Sequence, residues 1–234
     1  MENKALIQVL GAIAYGEKKA YDEASSKAAE ATNDAERKVW RTIAAEELRH
    51  HKGFARRLSD LGANPERAMA PYRASLDEYH GPPEQDDVAA AVRNLLGEGI
   101  AADLLAWLRK VVDVETARFI DTVIADEVRH EARAASEVRT VMAAYPDGKN
   151  QAARAATGML SHMARSGTVS GPSFAAFLRL GRVHELIGGL AMGFMRRLDL
   201  LGIGPVAAAG RFDPLGIVAR LDVFGTRRES RRAA

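Results

Sequence analysis

A nine-residue segment occurs twice in this chain, 80 positions apart: Thr42-Ile43-Ala44-Ala45-Glu46-Glu47-Leu48-Arg49-His50 returns as Thr122-Val123-Ile124-Ala125-Asp126-Glu127-Val128-Arg129-His130. Thr, Ala, Glu, Arg and His recur identically, and Asp126 answers Glu46. A shorter pair, Gly16-Glu17, returns as Gly97-Glu98 at an offset of 81. A duplication of this kind predicts two similar helical hairpins, because both copies lie in stretches whose apolar residues step by three and four.

The polar residues of the repeat stand where that period demands apolar ones. The second predicted helix has the stripe Trp40, Ile43, Glu47, His50, Phe54, Leu61, and the fourth has Ile120, Val123, Glu127, His130, Ala134, Val141. The first offers Leu6, Leu10, Ile13, Glu17, Tyr21, and the third Ala91, Leu95, Glu98, Ala102, Leu105, Val112. Four carboxylates and two imidazoles are thus aimed at one interior. Burying them uncompensated would cost several kcal/mol per ion. Two divalent cations would balance the four carboxylates, and a mixed oxygen and imidazole donor set suits iron or manganese. A Glu and a His at i and i+3 share a helix face, so both can reach one ion. One Glu from each of two helices plus Glu-x-x-His from each of two more is the ligand pattern of di-iron and di-manganese bundles. The expected ligands are therefore Glu17, Glu47, His50, Glu98, Glu127 and His130, around an Fe/Fe, Mn/Fe or Mn/Mn pair.

Around them a supporting set is expected. Asp126 and Glu46 are placed to accept the Nδ1–H of the histidine on the opposite helix, which would fix its tautomer. Arg49 and Arg129 pair with those acids or lie in surface ion pairs. Tyr21 stands one turn from Glu17, as a hydrogen-bonding group or a core aromatic, and Asp103 supports or caps rather than ligates. Gly97, Gly99 and Gly193 mark close helix contacts or a local distortion. His51 is expected to face solvent and His184 to pack in the core, while His80 and His162 carry no signal.

The fold expected is all-α: a four-helix bundle with one crossover connection plus additional C-terminal helices. Helices are predicted over about 3–30, 34–61, 86–111, 113–144, 149–166 and 173–201, with Asn33 or Asp34 as cap and Gly62 as stop of the second. The connector at 63–83 carries four prolines and room for one short helix after Pro71. A domain over 1–204 is followed by an irregular basic tail, 205–234, with a turn of helix near 214–222. Residues 220–234 hold five arginines against two acids, so the formal charge of +2 becomes −1 without them. That argues against a generally basic, nucleic-acid-binding surface. With 47% apolar residues the chain is not disordered, and with no cysteine it has no disulfide, thiolate metal site or iron–sulfur cluster of its own. No apolar run reaches membrane-spanning length and the first residues do not form a signal peptide, so a cytoplasmic protein is expected.

These motifs resemble the ferritin-like di-iron oxidases and monooxygenases. Ala14-Tyr15-Gly16-Glu17, Ala45-Glu46-Glu47-Leu48-Arg49-His50, Ala68-Met69-Ala70 with Tyr79-His80, and Gly97-Glu98-Gly99-Ile100-Ala101-Ala102-Asp103 are more closely similar to the bacterial ferritin-like proteins grouped with MiaE-type tRNA hydroxylases. The likeness extends over about 5–204, with Glu98 standing where members often carry Asp, and Arg129 where they tend to lack Arg. The resemblance implies O2 as co-substrate and hydroxylation or another two-electron oxidation of a small organic substrate or a modified tRNA adenosine. It implies a pocket wall of Ile13, Tyr21, Ile43, Leu95, Ala102 and Val123. Without cysteine, electrons must come from a separate reductase or from the substrate. Two alternatives stay open: a ferritin- or rubrerythrin-like iron-handling or peroxide-consuming protein, and a di-iron enzyme of another outcome, such as aldehyde cleavage, desaturation or quinone hydroxylation. A homodimer through the first and third helices is a further expectation.

Overall fold

The computed structural model describes residues 2–81, 86–165 and 172–204. Among them every regular element is a helix: α1 (Glu2–Glu30), α2 (Asp34–Asp60), α3 (Pro65–Met69), a 3-10 turn (Ala70–Tyr72), α4 (Arg73–Tyr79), α5 (Asp87–Leu108), α6 (Val114–Ala143), α7 (Gly148–Arg165), α8 (Pro172–Leu180) and α9 (Val183–Leu200). The basic tail and the turn expected near 214–222 lie outside the described residues, as does the side chain of His162. No helix among the described residues is long and apolar enough to cross a membrane.

Local chemistry sets the boundaries. The Asn33 side chain accepts from Glu36 N at 2.8 Å and caps α2. Gly62, at φ +76°, ends it, with Gly62 N bonded to Ser59 O and Ala63 N to Leu58 O. The connector is more helical than expected. Asn64 caps α3 through Arg67 N, and Pro65 sits in the first turn, where a missing N–H costs nothing. The single late helix expected over 173–201 is two, α8 and α9, because Gly181 (φ 88°) and Arg182 (φ 50°) are both left-handed. No helix continues through two such residues.

The described chain gathers into two compact units. The first contains α1 to α4, α6 as far as His130, and α8; the second contains α5 as far as Trp107, the rest of α6, most of α7, and α9. In the first unit, α2 and α6 are pinned at one end by Arg57 and Asp113. Asp113 accepts from Thr116 N (3.0 Å), Thr116 Oγ1 (2.7 Å) and Arg57 Nη2 (2.8 Å). Phe54 meets Phe119 edge-on at 4.9 Å one turn further in. At the far end Ala24, Ala28, Trp40, Ile43 and Ala44 form a small core with Tyr21 packed against it. The second unit has a larger core, in which Val92, Leu95 and Leu96 of α5 meet Val138 of α6, Ala152 and Ala156 of α7, and Leu198 of α9.

Gly11 shows how closely the connector approaches α1: a Cβ there would lie 2.4 Å from the Ala68 carbonyl oxygen, a backbone atom that cannot rotate away. Gly16, one and a half turns on, has nothing within 4 Å. Gly11→Ala is therefore expected to destabilise by about 1–3 kcal/mol. Gly16→Ala should be neutral or stabilising by up to about 1 kcal/mol, as in an open helix. Urea unfolding of the two variants checks the pair, and equal effects would refute the close approach.

Candidate metal centre

Four ligand residues expected from the sequence meet within the first unit. Glu17, Glu47, His50 and Glu127 each offer one donor atom, all within 4.8 Å of one another, and all four are buried. His50 Nδ1 is the hub: it lies 3.3 Å from Glu17 Oε2, 3.5 Å from Glu47 Oε2 and 3.4 Å from Glu127 Oε1. His130, 3% exposed, brings its own Nδ1 to 3.0 Å from Glu47 Oε1 and 3.9 Å from Glu127 Oε1. The two imidazole centroids are 6.3 Å apart. Glu47 and Glu127 therefore each reach both histidines. Glu98 stands partly buried on α5, in the second unit.

The repeat folds into crossed supports. His50, on α2, donates Nε2–H to Asp126 of α6 at 2.9 Å. His130, on α6, donates Nε2–H to Glu46 of α2 at 2.8 Å. Each acid thus serves the opposite helix, as expected, but through Nε2 and not the Nδ1 anticipated. Both rings are rotated so that Nδ1 faces the carboxylates, which leaves Nε2 for the support. The arginines close the network: Arg49 donates to Asp126, and Arg129 donates to Glu46 (2.7 Å) and to Asp126.

The remaining expected positions fall elsewhere. Tyr21 packs against the Trp40 cluster. Asp103 is paired with Arg197 in the second unit. His51 does not face solvent: its Nδ1–H donates to Ala14 O at 2.7 Å and ties α2 to α1. His184 is exposed, not packed in a core, because it lies in the first turn of α9, after the break that the sequence reading did not place. His80 lies 3.3 Å from Glu23 and edge-on to Tyr79. Of the residues expected to line a pocket, Ile13, Ile43, Leu95 and Val123 are buried, and Tyr21 and Ala102 are partly so.

Arg197 was not singled out by the sequence reading. It is 1% exposed, and holds Asp103 through Nη1 (2.7 Å) and Glu131 through Nη2 (2.9 Å) and Nε (3.1 Å). A Cβ on Gly99 would fall 1.9 Å from its Nε, and one on Gly193 2.5 Å from its Nη1. Those glycines admit a guanidinium and distort neither helix: α5 runs unbroken through Gly99 and α9 through Gly193. The mid-helix glycines Gly99 and Gly193, the second one turn before Arg197, were the available signal.

The electrostatics describe a site built for cations. Burial opposes protonation of His50, but Glu127, Glu17 and Glu47 outweigh it and push its pKa up to about 12. Burial likewise opposes charge on His130, and Glu47 overcomes it, holding the pKa near 9. Burial would raise Glu47, yet His130 and His50 pull it down to about 2. Glu17 is pushed well above the carboxylate range, chiefly by burial and then by Glu47 and Glu127. Protons thus do the work of a cation. His130 Nδ1 is fully buried and lies 3.0 Å from Glu47 Oε1, but in poor geometry for a hydrogen bond. Once that nitrogen gives up its proton, its lone pair faces inward among carboxylates, which fits a metal ligand. Bonds of about 2.1 Å at right angles set neighbouring donor atoms about 3.0 Å apart, close to the separations here. The residues present therefore fit a metal ion, and the oxygen and imidazole mixture fits iron or manganese.

Residues 2–166 match the family model described as a ferritin-like domain of actinomycetes. No curated protein matches the chain.

Proposed function

Since this chain belongs to the ferritin-like domain family of actinomycetes, we propose that it is a non-haem di-iron enzyme that uses O2 to hydroxylate or otherwise oxidise an organic substrate. The observation that carries this reading is the reach of Glu47 and Glu127, each within 4 Å of both inward imidazole nitrogens. Two carboxylates so placed suit two ions held side by side. Glu17 completes the position at His50. For the position at His130 the sequence repeat supplies Glu98.

A reduced iron pair would supply two electrons for the activation of O2. The chain's own part is to hold and to exclude. Asp126 and Glu46 keep Nε2 protonated on both histidines, so that Nδ1 faces the ions. The buried Ile13, Ile43 and Val123 keep water from the reacting centre. Electrons come from a separate reductase or from the substrate, because the chain has no cysteine to hold an iron–sulfur cluster. A modified adenosine in tRNA is one substrate class this reading includes, by resemblance to the MiaE-type hydroxylases.

The test is metal per chain after repeated cycles of anaerobic iron(II) loading, air exposure and desalting. Saturation near two irons supports the enzyme. Iron that climbs with each cycle and stays soluble would overturn it in favour of iron handling. A pH prediction accompanies it. In the metal-free protein the stability owed to His130 is complete below about 6.5, its ordinary value, and is lost as pH rises through about 9. Metal needs that proton gone, so binding strengthens over the same window. The difference in Tm between iron-loaded and metal-free protein is expected to widen from pH 6.5 to pH 9. A difference that narrows would refute the ligand role of His130.

A further inference from the structure

The outer face of α2 carries Lys38, Arg41, Ala45, Arg49, Lys52 and Arg56, all exposed. Their spacing of three and four places them in one stripe with no acid in it, about 27 Å long at 1.5 Å per residue. Lys38, Arg41, Lys52 and Arg56 make no ion pair among the described residues. Part of this face lines a surface groove together with Asp34, Arg37, Thr42 and Glu46. Arg49 is the exception to the idle cations: it donates inward to Asp126, which accepts from His50 Nε2. Arg129, 57% exposed like Arg49, reaches Glu46, which accepts from His130 Nε2. From either histidine to solvent there is one carboxylate and one arginine.

We propose that this basic face of α2, with Arg129, is the docking surface for an acidic electron-carrier protein, which passes electrons one at a time to the metal centre across the arginine–carboxylate–imidazole contacts beneath it. The proposal rests on the redox reading above. Charge complementarity selects the partner: small, charge-steered contacts are typical of electron-transfer encounters. RNA suits the face less well. The stripe has no aromatic residue on which a base could stack. None of the inward ligands Glu17, Glu47, His50, Glu127 and His130 lines the groove, so a substrate base seated there would not reach the site. An electron needs proximity, not an opening.

The experiment uses the full chain and a reduced, acidic plant-type ferredoxin as probe. Binding is measured by calorimetry with and without iron, and reduction of the iron-loaded protein by stopped flow. The charge reversal K38E/R41E/K52E leaves every residue of the metal centre in place. Expected are a loss of ferredoxin affinity and of reduction rate by about tenfold or more, both on reversal and on raising salt from roughly 20 to 200 mM. Reduction by methyl viologen radical, a small cation, should not be slowed. Ferredoxin binding and reduction indifferent to the reversal would overturn the docking surface. So would a reversal that abolishes tRNA binding while sparing ferredoxin. Failure of methyl viologen itself to reduce the iron-loaded protein would instead bring down the redox reading, and the proposal with it.

Discussion

Glu47→Ala is expected to empty both metal positions, whereas Glu17→Ala empties one. Glu47 approaches His50 Nδ1 at 3.5 Å and His130 Nδ1 at 3.0 Å, so its loss removes a donor from each ion. It also removes the carboxylate that lies between the two buried imidazoles. Glu17 reaches His50 alone, at 3.3 Å. Metal analysis after desalting should give well below one ion per chain for the first variant and about one for the second, against about two for the parent. Loss of the tightly bound ions should also lower Tm: metal at a hundred times its Kd contributes about 2.7 kcal/mol, or roughly 5–10 °C for a domain of this size. Equal stoichiometries in the two variants would refute the shared position of Glu47.

The largest effect on folding is expected at a residue far from the metals in sequence. Arg197→Met leaves Asp103 and Glu131 facing each other in the second unit with no cation between them. Burial disfavours the guanidinium charge, but Asp103 and Glu131 outweigh that and raise its pKa further. Removing one partner of a buried ion cluster costs about 3–5 kcal/mol, because the other partner stays charged and desolvated. At about 2–4 °C per kcal/mol, thermal unfolding should fall by roughly 6–20 °C. Replacing all three residues, as R197M/D103L/E131L, should recover most of that loss, since an apolar cluster of similar volume carries no desolvation cost. A single variant within about 1 kcal/mol of the parent would refute the buried cluster.

The candidate metal cluster was legible because its residues violate a pattern. Glu47, His50, Glu127 and His130 occupy apolar positions in long periodic helices, twice, at a constant offset. Caps such as Asn33 and the stop at Gly62 were legible for the same local reason, that single residues satisfy the backbone there. What failed was non-local or one residue deep. The inward nitrogen of each histidine depends on side-chain rotation, which spacing does not specify. The break at Gly181-Arg182 needs an arginine at φ 50°, against its own preference, and a lone glycine between helical stretches does not announce that. Arg197 was hidden because its partners lie 94 and 66 positions away, and an arginine within a helix ordinarily means a solvated face.

The crossed bonds of His50 with Asp126 and His130 with Glu46 bear on how such a site can arise. A chain with one copy of the motif would carry a histidine and an acid that cannot serve each other. It would become complete only on meeting a second copy across a two-fold axis, each supplying what the other lacks. Two copies in one chain make that partner permanent. They also release the copies from identity, which an isologous pair of identical chains does not allow: Glu46 and Asp126 fill the same role with side chains of two lengths.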